Sequence, residues 1–135
     1  MGIKWREALS IGVEEIDNQH RELLRHFDVL LTACEDGRGM LELKKLLDFL
    51  DGYVQQHFRD EERLQRINSY PGHDEHRKEH VFFVDRIRKL QGEIAMEGVA
   101  LHHLIEANDL LFKWLINHIS KADMALGVFL NKSKD

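Results

Sequence analysis

Apolar residues recur three and four positions apart over most of this 135-residue chain, and only one proline, Pro71, interrupts the pattern. This spacing puts apolar side chains on one face of an α-helix, whereas a half-buried strand would alternate at every second residue. No segment alternates for long enough to predict a sheet. The sequence therefore predicts an all-α protein.

Glycines and the proline divide the pattern into predicted helices. The first helix has Asp17 as its expected N-cap, and Gly37 and Gly39 are expected to end it. The second helix should stop before the sequence NSYPG, because a residue that precedes a proline is pushed out of the helical region.

A third helix is expected to begin near His73 or Asp74 and to end at a turn around Gly98, and a fourth should start at about Val99. Four helices with short connections predict an antiparallel up-down-up-down four-helix bundle. An N-terminal arm would precede the bundle, and the apolar sequence ADMALGVFL would form a short C-terminal helix.

The composition limits the class of protein. With 43% apolar and 32% charged residues, the chain should fold as one globular domain. A net charge of −5 without a Lys/Arg block argues against binding to nucleic acid or to a membrane surface. The lone cysteine, Cys34, excludes an internal disulfide, and no apolar run is long enough to span a membrane. We therefore expect a cytoplasmic protein, or a domain of a larger signalling chain.

Histidine is unusually frequent, with nine residues in the chain. Two pairs of potential metal ligands are four residues apart, so that each pair lies on one face of a helix. Two further histidines lie near the start of the first helix and near the end of the fourth. An up-down bundle would bring all of these positions to one end. The six residues are His20, His57, Glu61, His76, His80 and His118.

Asp123 is a seventh candidate ligand. A residue five positions after His118 lies about 140° away around a regular α-helix. The helix must therefore loosen or end between Ser120 and Asp123 if both are to reach one site; otherwise Asp123 only caps the helix. Seven ligands exceed a tetrahedral zinc site, and imidazoles do not suit calcium or magnesium. Two carboxylates able to bridge favour a pair of metal ions that share Glu61 and Asp123.

Several apolar residues are neighbours of these ligands along the predicted helices. They would belong to the bundle core in any case, and they could also form a dry pocket beside the metal. The remaining histidines, His26, His73, His102 and His103, are expected to face solvent or to be satisfied polar residues. The predicted pocket residues are Leu23, Leu24, Phe58, Trp114 and Ile119.

Four motifs, IDNQH, HFRDEE, HDEHRKEH and WLINHISKAD, occur in an order and spacing that resemble the hemerythrin family. The arrangement with Trp5 before the first helix resembles the bacterial hemerythrins. The resemblance extends from about Trp5 to Phe129 and implies a single hemerythrin-like domain over residues 1–135.

The resemblance also implies a non-haem di-iron cofactor. Two iron ions (Fe2+/Fe3+) would be bridged by Glu61, Asp123 and an oxo or hydroxo group. Three histidines would complete the coordination of one iron. Two histidines would hold the other iron and leave one of its coordination positions open for dioxygen. The first set is His76, His80 and His118, and the second is His20 and His57.

The function implied is reversible dioxygen binding rather than catalysis. The chain would be an oxygen carrier, a store, or an oxygen-sensing domain fused to a signalling or chemoreceptor chain. The alternative is a di-iron oxidase, peroxidase or iron-handling enzyme. Ferritin-like di-iron sites use Glu-x-x-His motifs, of which this chain has none. A purely structural metal site would not need an open coordination position.

Overall fold

The computed structural model describes residues 7–132, and within this range the chain is helical and contains no strand, which confirms the all-α prediction. Helix α1 spans Glu14–Glu35, α2 spans Gly39–Ile67 and α3 spans His73–Glu97. The fourth helical segment, α4, covers residues 101–132. Trp5 lies outside the described residues.

α4 is continuous but not uniform. Two stretches, Asp109–Leu115 and Ile119–Asp123, are π-helical, with i→i+5 hydrogen bonding that makes each turn wider. The remainder, Leu101–Asn108, Ile116–His118 and Met124–Lys132, is α-helical. The predicted C-terminal element is therefore helical, but it continues α4 without a break and is not a separate helix.

Most helix ends lie where the sequence predicts them. α2 ends at Ile67, shortly before the proline turn, and α3 begins at His73. Gly98, with a φ of 79°, follows α3. The assignment of Gly39 was wrong. Gly37 ends α1 by itself with a φ of 78°, and Gly39 is the first residue of α2.

The prediction that Asp17 is the N-cap of α1 was also wrong. α1 begins at Glu14, and Asp17 is buried in its first turn. Its carboxylate accepts a hydrogen bond from the Ser10 hydroxyl at 2.5 Å and another from the backbone N–H of Ile11 at 2.9 Å. These two hydrogen bonds hold the described part of the arm, residues 7–13, against the first turn of α1.

The described part of the arm packs against the C-terminal part of α4. Leu9 and Ile11 are both buried, and the Asn131 side chain donates a hydrogen bond to the Ile11 carbonyl at 3.3 Å. Gly127 is needed at this crossing, because a Cβ atom there would lie 2.1 Å from the Ile11 carbonyl oxygen.

One apolar core joins the four helices, and it includes residues such as Phe58 and Ile119 that are adjacent in sequence to potential metal ligands. In the part of the chain that the structure describes, no helix is both long and apolar enough to cross a membrane. The best-buried large core residues include Leu23, Leu24, Phe27, Leu43, Leu50, Phe83, Ile87 and Leu111.

The contact between the arm and α4 gives a first prediction. Gly127→Ala should lower the free energy of unfolding by about 2–3 kcal/mol, because a methyl group there must displace the backbone of the arm. Gly92→Ala is the matched control. Gly92 lies within α3 with open space around it, so alanine should raise the stability by roughly 0.5–1 kcal/mol. Urea unfolding of both variants measures this. Equal effects would show that the arm does not depend on Gly127.

Candidate metal centre

Seven side chains of types that are normally exposed are buried together where the four helices meet. Each is at most 3% exposed, although five are imidazoles and two are carboxylates. These groups are costly to bury without partners. The structure brings together all seven candidate ligands that the sequence predicts, which are His20, His57, Glu61, His76, His80, His118 and Asp123.

The seven residues form two overlapping groups in which the ligand atoms lie within 4.8 Å of one another. Glu61 and Asp123 belong to both. We call the other members the three-histidine group (His76, His80, His118) and the two-histidine group (His20, His57).

Glu61 presents one carboxylate oxygen to each group. Its Oε1 lies 2.7 Å from Nε2 of His76 and 3.1 Å from Nε2 of His80, both in the three-histidine group. Its Oε2 lies 3.6 Å from Nε2 of His57 in the two-histidine group. This is the arrangement in which one carboxylate can bridge two cations.

Asp123 is oriented in the same way. Its Oδ1 lies 2.8 Å from Nε2 of His76 and 3.1 Å from Nε2 of His118, whereas Oδ2 lies 3.0 Å from Nε2 of His20. Two carboxylates on two different helices therefore divide their oxygens between the same two positions.

The π-helical stretch Ile119–Asp123 explains how His118 and Asp123 reach one site. In a regular α-helix the two residues would diverge, but i→i+5 hydrogen bonding places residues five apart nearly in line. The sequence predicts that the helix must loosen or end here, and the structure shows that it loosens. Single π-helical turns of this kind are frequent at functional sites.

Some buried polar atoms at the centre have no hydrogen-bond partner. They are both ring nitrogens of His20, Oε2 of Glu61 and Oδ2 of Asp123; Nε2 of His20 and Oδ2 of Asp123 are 3.0 Å apart but are not aligned as a hydrogen bond. In addition, Nε2 of His76 and Nε2 of His118 lie only 3.2 Å apart. An unsatisfied buried polar atom costs about 1–3 kcal/mol, so lone pairs directed at a common point fit a bound cation. Imidazole and carboxylate donors together suit iron and the other transition metals.

The comparisons with known proteins agree with this chemistry. The family model for the hemerythrin HHE cation binding domain matches residues 11–129. This chain belongs to the hemerythrin family. It is 30% identical to a bacteriohemerythrin of Stenotrophomonas maltophilia over 125 residues, which cover 90% of this chain and 76% of that protein.

Two further relatives are a second bacteriohemerythrin and a myohemerythrin. A bacteriohemerythrin of Pseudomonas aeruginosa is 30% identical over 120 residues, which cover 88% of this chain and 75% of that protein. A myohemerythrin of Theromyzon tessulatum is 25% identical over 120 residues, which cover 89% and 87% of the two chains.

The two buried carboxylates of this centre require positive charge nearby. Burial alone would raise the pKa of both carboxyl groups, but the imidazoles around them lower it, well below the usual value in Asp123. Burial lowers the pKa of His57 to about 4, so this imidazole is neutral. Burial also opposes protonation of His76, yet contacts with Asp123 and Glu61 raise its pKa to about 10. Two ionised carboxylates therefore demand positive charge, which either a proton or a metal ion can supply.

Three of the histidines also contact an oxygen atom on a neighbouring helix through Nδ1. Donation of the Nδ1 hydrogen leaves the Nε2 lone pair directed at the centre. Sequence reasoning missed these acceptors, although each is adjacent in sequence to a candidate ligand. The pairs are His57 with Gln19 Oε1 at 2.5 Å, His80 with Glu62 Oε2 at 2.9 Å, and His118 with Glu79 Oε1 at 3.1 Å.

Aromatic rings cover two of the histidines. Phe58 stacks on His80 with ring centroids 3.8 Å apart, and Trp114 stacks on His118 at 5.0 Å. Trp114 is only partly buried. The other predicted pocket residues, Leu23, Leu24 and Ile119, are fully or almost fully buried in the core.

The remaining histidines lie outside this centre. His26 stacks on Phe49, and His73 and His102 are at least partly exposed. His103 is fully buried, and its Nδ1 accepts the backbone N–H of Ala100 at 3.0 Å, which fixes the first turn of α4. A neutral ring that accepts at Nδ1 keeps its proton on Nε2 and so is a poor metal ligand. The prediction that His103 is a satisfied polar residue holds for Nδ1 only, because Nε2 is buried without a hydrogen-bond partner, 3.9 Å from Oε2 of Glu97.

The unsatisfied atoms predict that a metal ion stabilises the fold. Adding ferrous iron under anaerobic conditions to the metal-free protein, at about 100 times its Kd, should raise the Tm by about 10 °C. Glu61→Ala should lose most of this rise, because it removes a carboxylate shared by both groups. His26→Ala, which lies outside both groups, should keep it. An equal loss of the metal-induced rise in both variants would contradict the assignment.

Proposed function

We propose that this hemerythrin-family chain binds dioxygen reversibly at a pair of iron ions. The observation that carries the proposal is the division of the carboxylate oxygens. Glu61 and Asp123 each present one oxygen to the three-histidine group and the other to the two-histidine group. The names of the relatives, bacteriohemerythrin and myohemerythrin, support the same function.

The ligand groups would hold the two ions unequally. The three-histidine group and the two shared carboxylates supply five protein ligands, and an oxo or hydroxo bridge would complete six. The two-histidine group supplies four protein ligands with the same carboxylates, so that one position stays open after the bridge is counted. When bound, the iron pair would supply this open position and the electrons that dioxygen binding requires.

The chain's own side chains would protect this position from water. Leu23, Leu24 and Ile119 are as fully buried as the ligands, and each lies within four residues of a ligand along its helix. Such apolar side chains exclude water and protons, which would otherwise release the bound dioxygen as hydrogen peroxide. They therefore favour reversible binding over turnover.

The helix order is also part of the proposal. The ligands come from the first part of α1, the last third of α2, the first part of α3 and the second half of α4. Connections of a few residues join the helices, at 36–38, 68–72 and 98–100. An antiparallel up-down-up-down bundle brings these positions together with such short connections. A cytoplasmic carrier or store and an oxygen-sensing domain of a larger signalling chain would use the same centre.

The protein should contain two iron ions per chain. Seven convergent ligands exceed what one ion uses, and the two groups share only Glu61 and Asp123. Metal analysis after expression in iron-replete medium tests this expectation. One zinc ion and no iron per chain would contradict the di-iron proposal.

Dioxygen binding should be reversible. The anaerobic ferrous protein is expected to be colourless, to gain a visible charge-transfer band on exposure to dioxygen, and to lose the band when dioxygen is removed. Repeated absorbance spectra over several cycles measure this. A direct and permanent change to the ferric form, with steady release of hydrogen peroxide, would contradict the proposal and favour the di-iron oxidase alternative.

A further inference from the structure

The hydrogen-bond acceptors that contact Nδ1 of the ligand histidines differ in charge. In the three-histidine group, His80 and His118 contact the carboxylates of Glu62 and Glu79. In the two-histidine group, Nδ1 of His57 contacts the uncharged amide oxygen of Gln19. Nδ1 of His20 is buried and has no hydrogen-bond partner.

A carboxylate acceptor changes the metal ligand more than an amide does. An ionised acceptor pulls more strongly on the Nδ1 hydrogen and so makes the Nε2 lone pair more basic. It also adds a negative charge one imidazole ring away from the metal ion. Both effects strengthen binding of a cation, and both increase with the charge of that cation.

The surroundings of Glu62 and Glu79 weaken these effects but do not remove them. Arg77 is 3.9 Å from Oε1 of Glu62, whereas the contact with His80 uses Oε2 at 2.9 Å. Glu62 also lines a groove of about 260 Å³ between α2 and α3, so its charge is partly screened by solvent. Glu79 is about half exposed, with Oε1 directed at Nδ1 of His118.

We infer that Glu62 and Glu79 are positioning residues that make the two metal positions unequal. Through His80 and His118 they give the three-histidine position the higher affinity for metal ions and the stronger preference for the higher charge state. Gln19 leaves the two-histidine position with weaker ligands, which suits the ion that must exchange a ligand. This inference rests on the proposed metal pair.

Titration of the metal-free protein with Co2+ tests the inference without any dioxygen chemistry. Wild-type protein should take up two ions in two steps. Glu62→Gln and Glu79→Gln keep an oxygen acceptor and remove the charge. Each should weaken the first step by about tenfold and leave the second step unchanged. Glu75→Gln is the control, since this exposed residue of α3 pairs with Lys78 and contacts no ligand histidine.

The reverse exchange sharpens the test. Because the Gln19 amide also donates to Oδ2 of Asp60 at 2.8 Å, Gln19→Glu is combined with Asp60→Asn to avoid repulsion between two carboxylates. This double variant gives His57 a carboxylate partner and should strengthen the second step relative to Asp60→Asn alone, so that the two affinities approach each other. In the iron-loaded protein, Glu62→Gln and Glu79→Gln should raise the reduction potential of one iron and not of the other. A role in ring orientation alone would leave this potential unchanged, because glutamine still accepts the hydrogen bond.

The outcomes separate the two proposals. If Glu62→Gln and Glu79→Gln weaken both steps equally, or neither, the inference is overturned even though the metal pair stands. If wild-type protein takes up one ion or none, the metal pair itself is contradicted. If two unequal steps occur as expected but dioxygen does not bind reversibly, the inference holds and the proposed function fails.

Discussion

Glu61 and Asp123 place two ionised carboxylates at one fully buried point, and each repels the other unless positive charge lies between them. Burial of an unpaired charge costs several kcal/mol, which is more than a single core leucine contributes. In the absence of a metal ion, these carboxylates raise the pKa of His76 to about 10, so this imidazole holds a proton that offsets one of the two negative charges. Positive charge at this point, from a proton on His76 or from a bound metal ion, therefore stabilises the arrangement of the four helices.

The shape of α4 follows from the same requirement. A uniform α-helix would direct either His118 or Asp123 away from the centre, so the backbone adopts the less favourable π-helical hydrogen bonding over Ile119–Asp123. The same helix then continues to Gly127, where the absence of a side chain admits the arm. In α4, the stretch that positions the ligands is therefore followed directly by the stretch that packs against the arm.

Sequence reasoning succeeded where the relevant spacing is local. The pairs His57/Glu61 and His76/His80 and the ends of α2 and α3 follow from positions one turn apart and from the proline turn. It failed for Asp17, whose partners lie in the arm, and for Gln19, Glu62 and Glu79, whose partners lie on other helices. Those contacts depend on how far each helix is rotated about its axis, and one-dimensional periodicity does not fix that rotation.

The outer hydrogen bonds show how the centre determines this rotation. Gln19 joins α1 to α2, Glu62 joins α2 to α3, and Glu79 joins α3 to α4. Each acceptor is adjacent in sequence to a ligand of the centre, so it is turned about 100° from that ligand toward the neighbouring helix. Once the ligands face the centre, the residues beside them face the ligands of the next helix. The site and the packing of the bundle therefore specify each other, because the same helix rotations satisfy both.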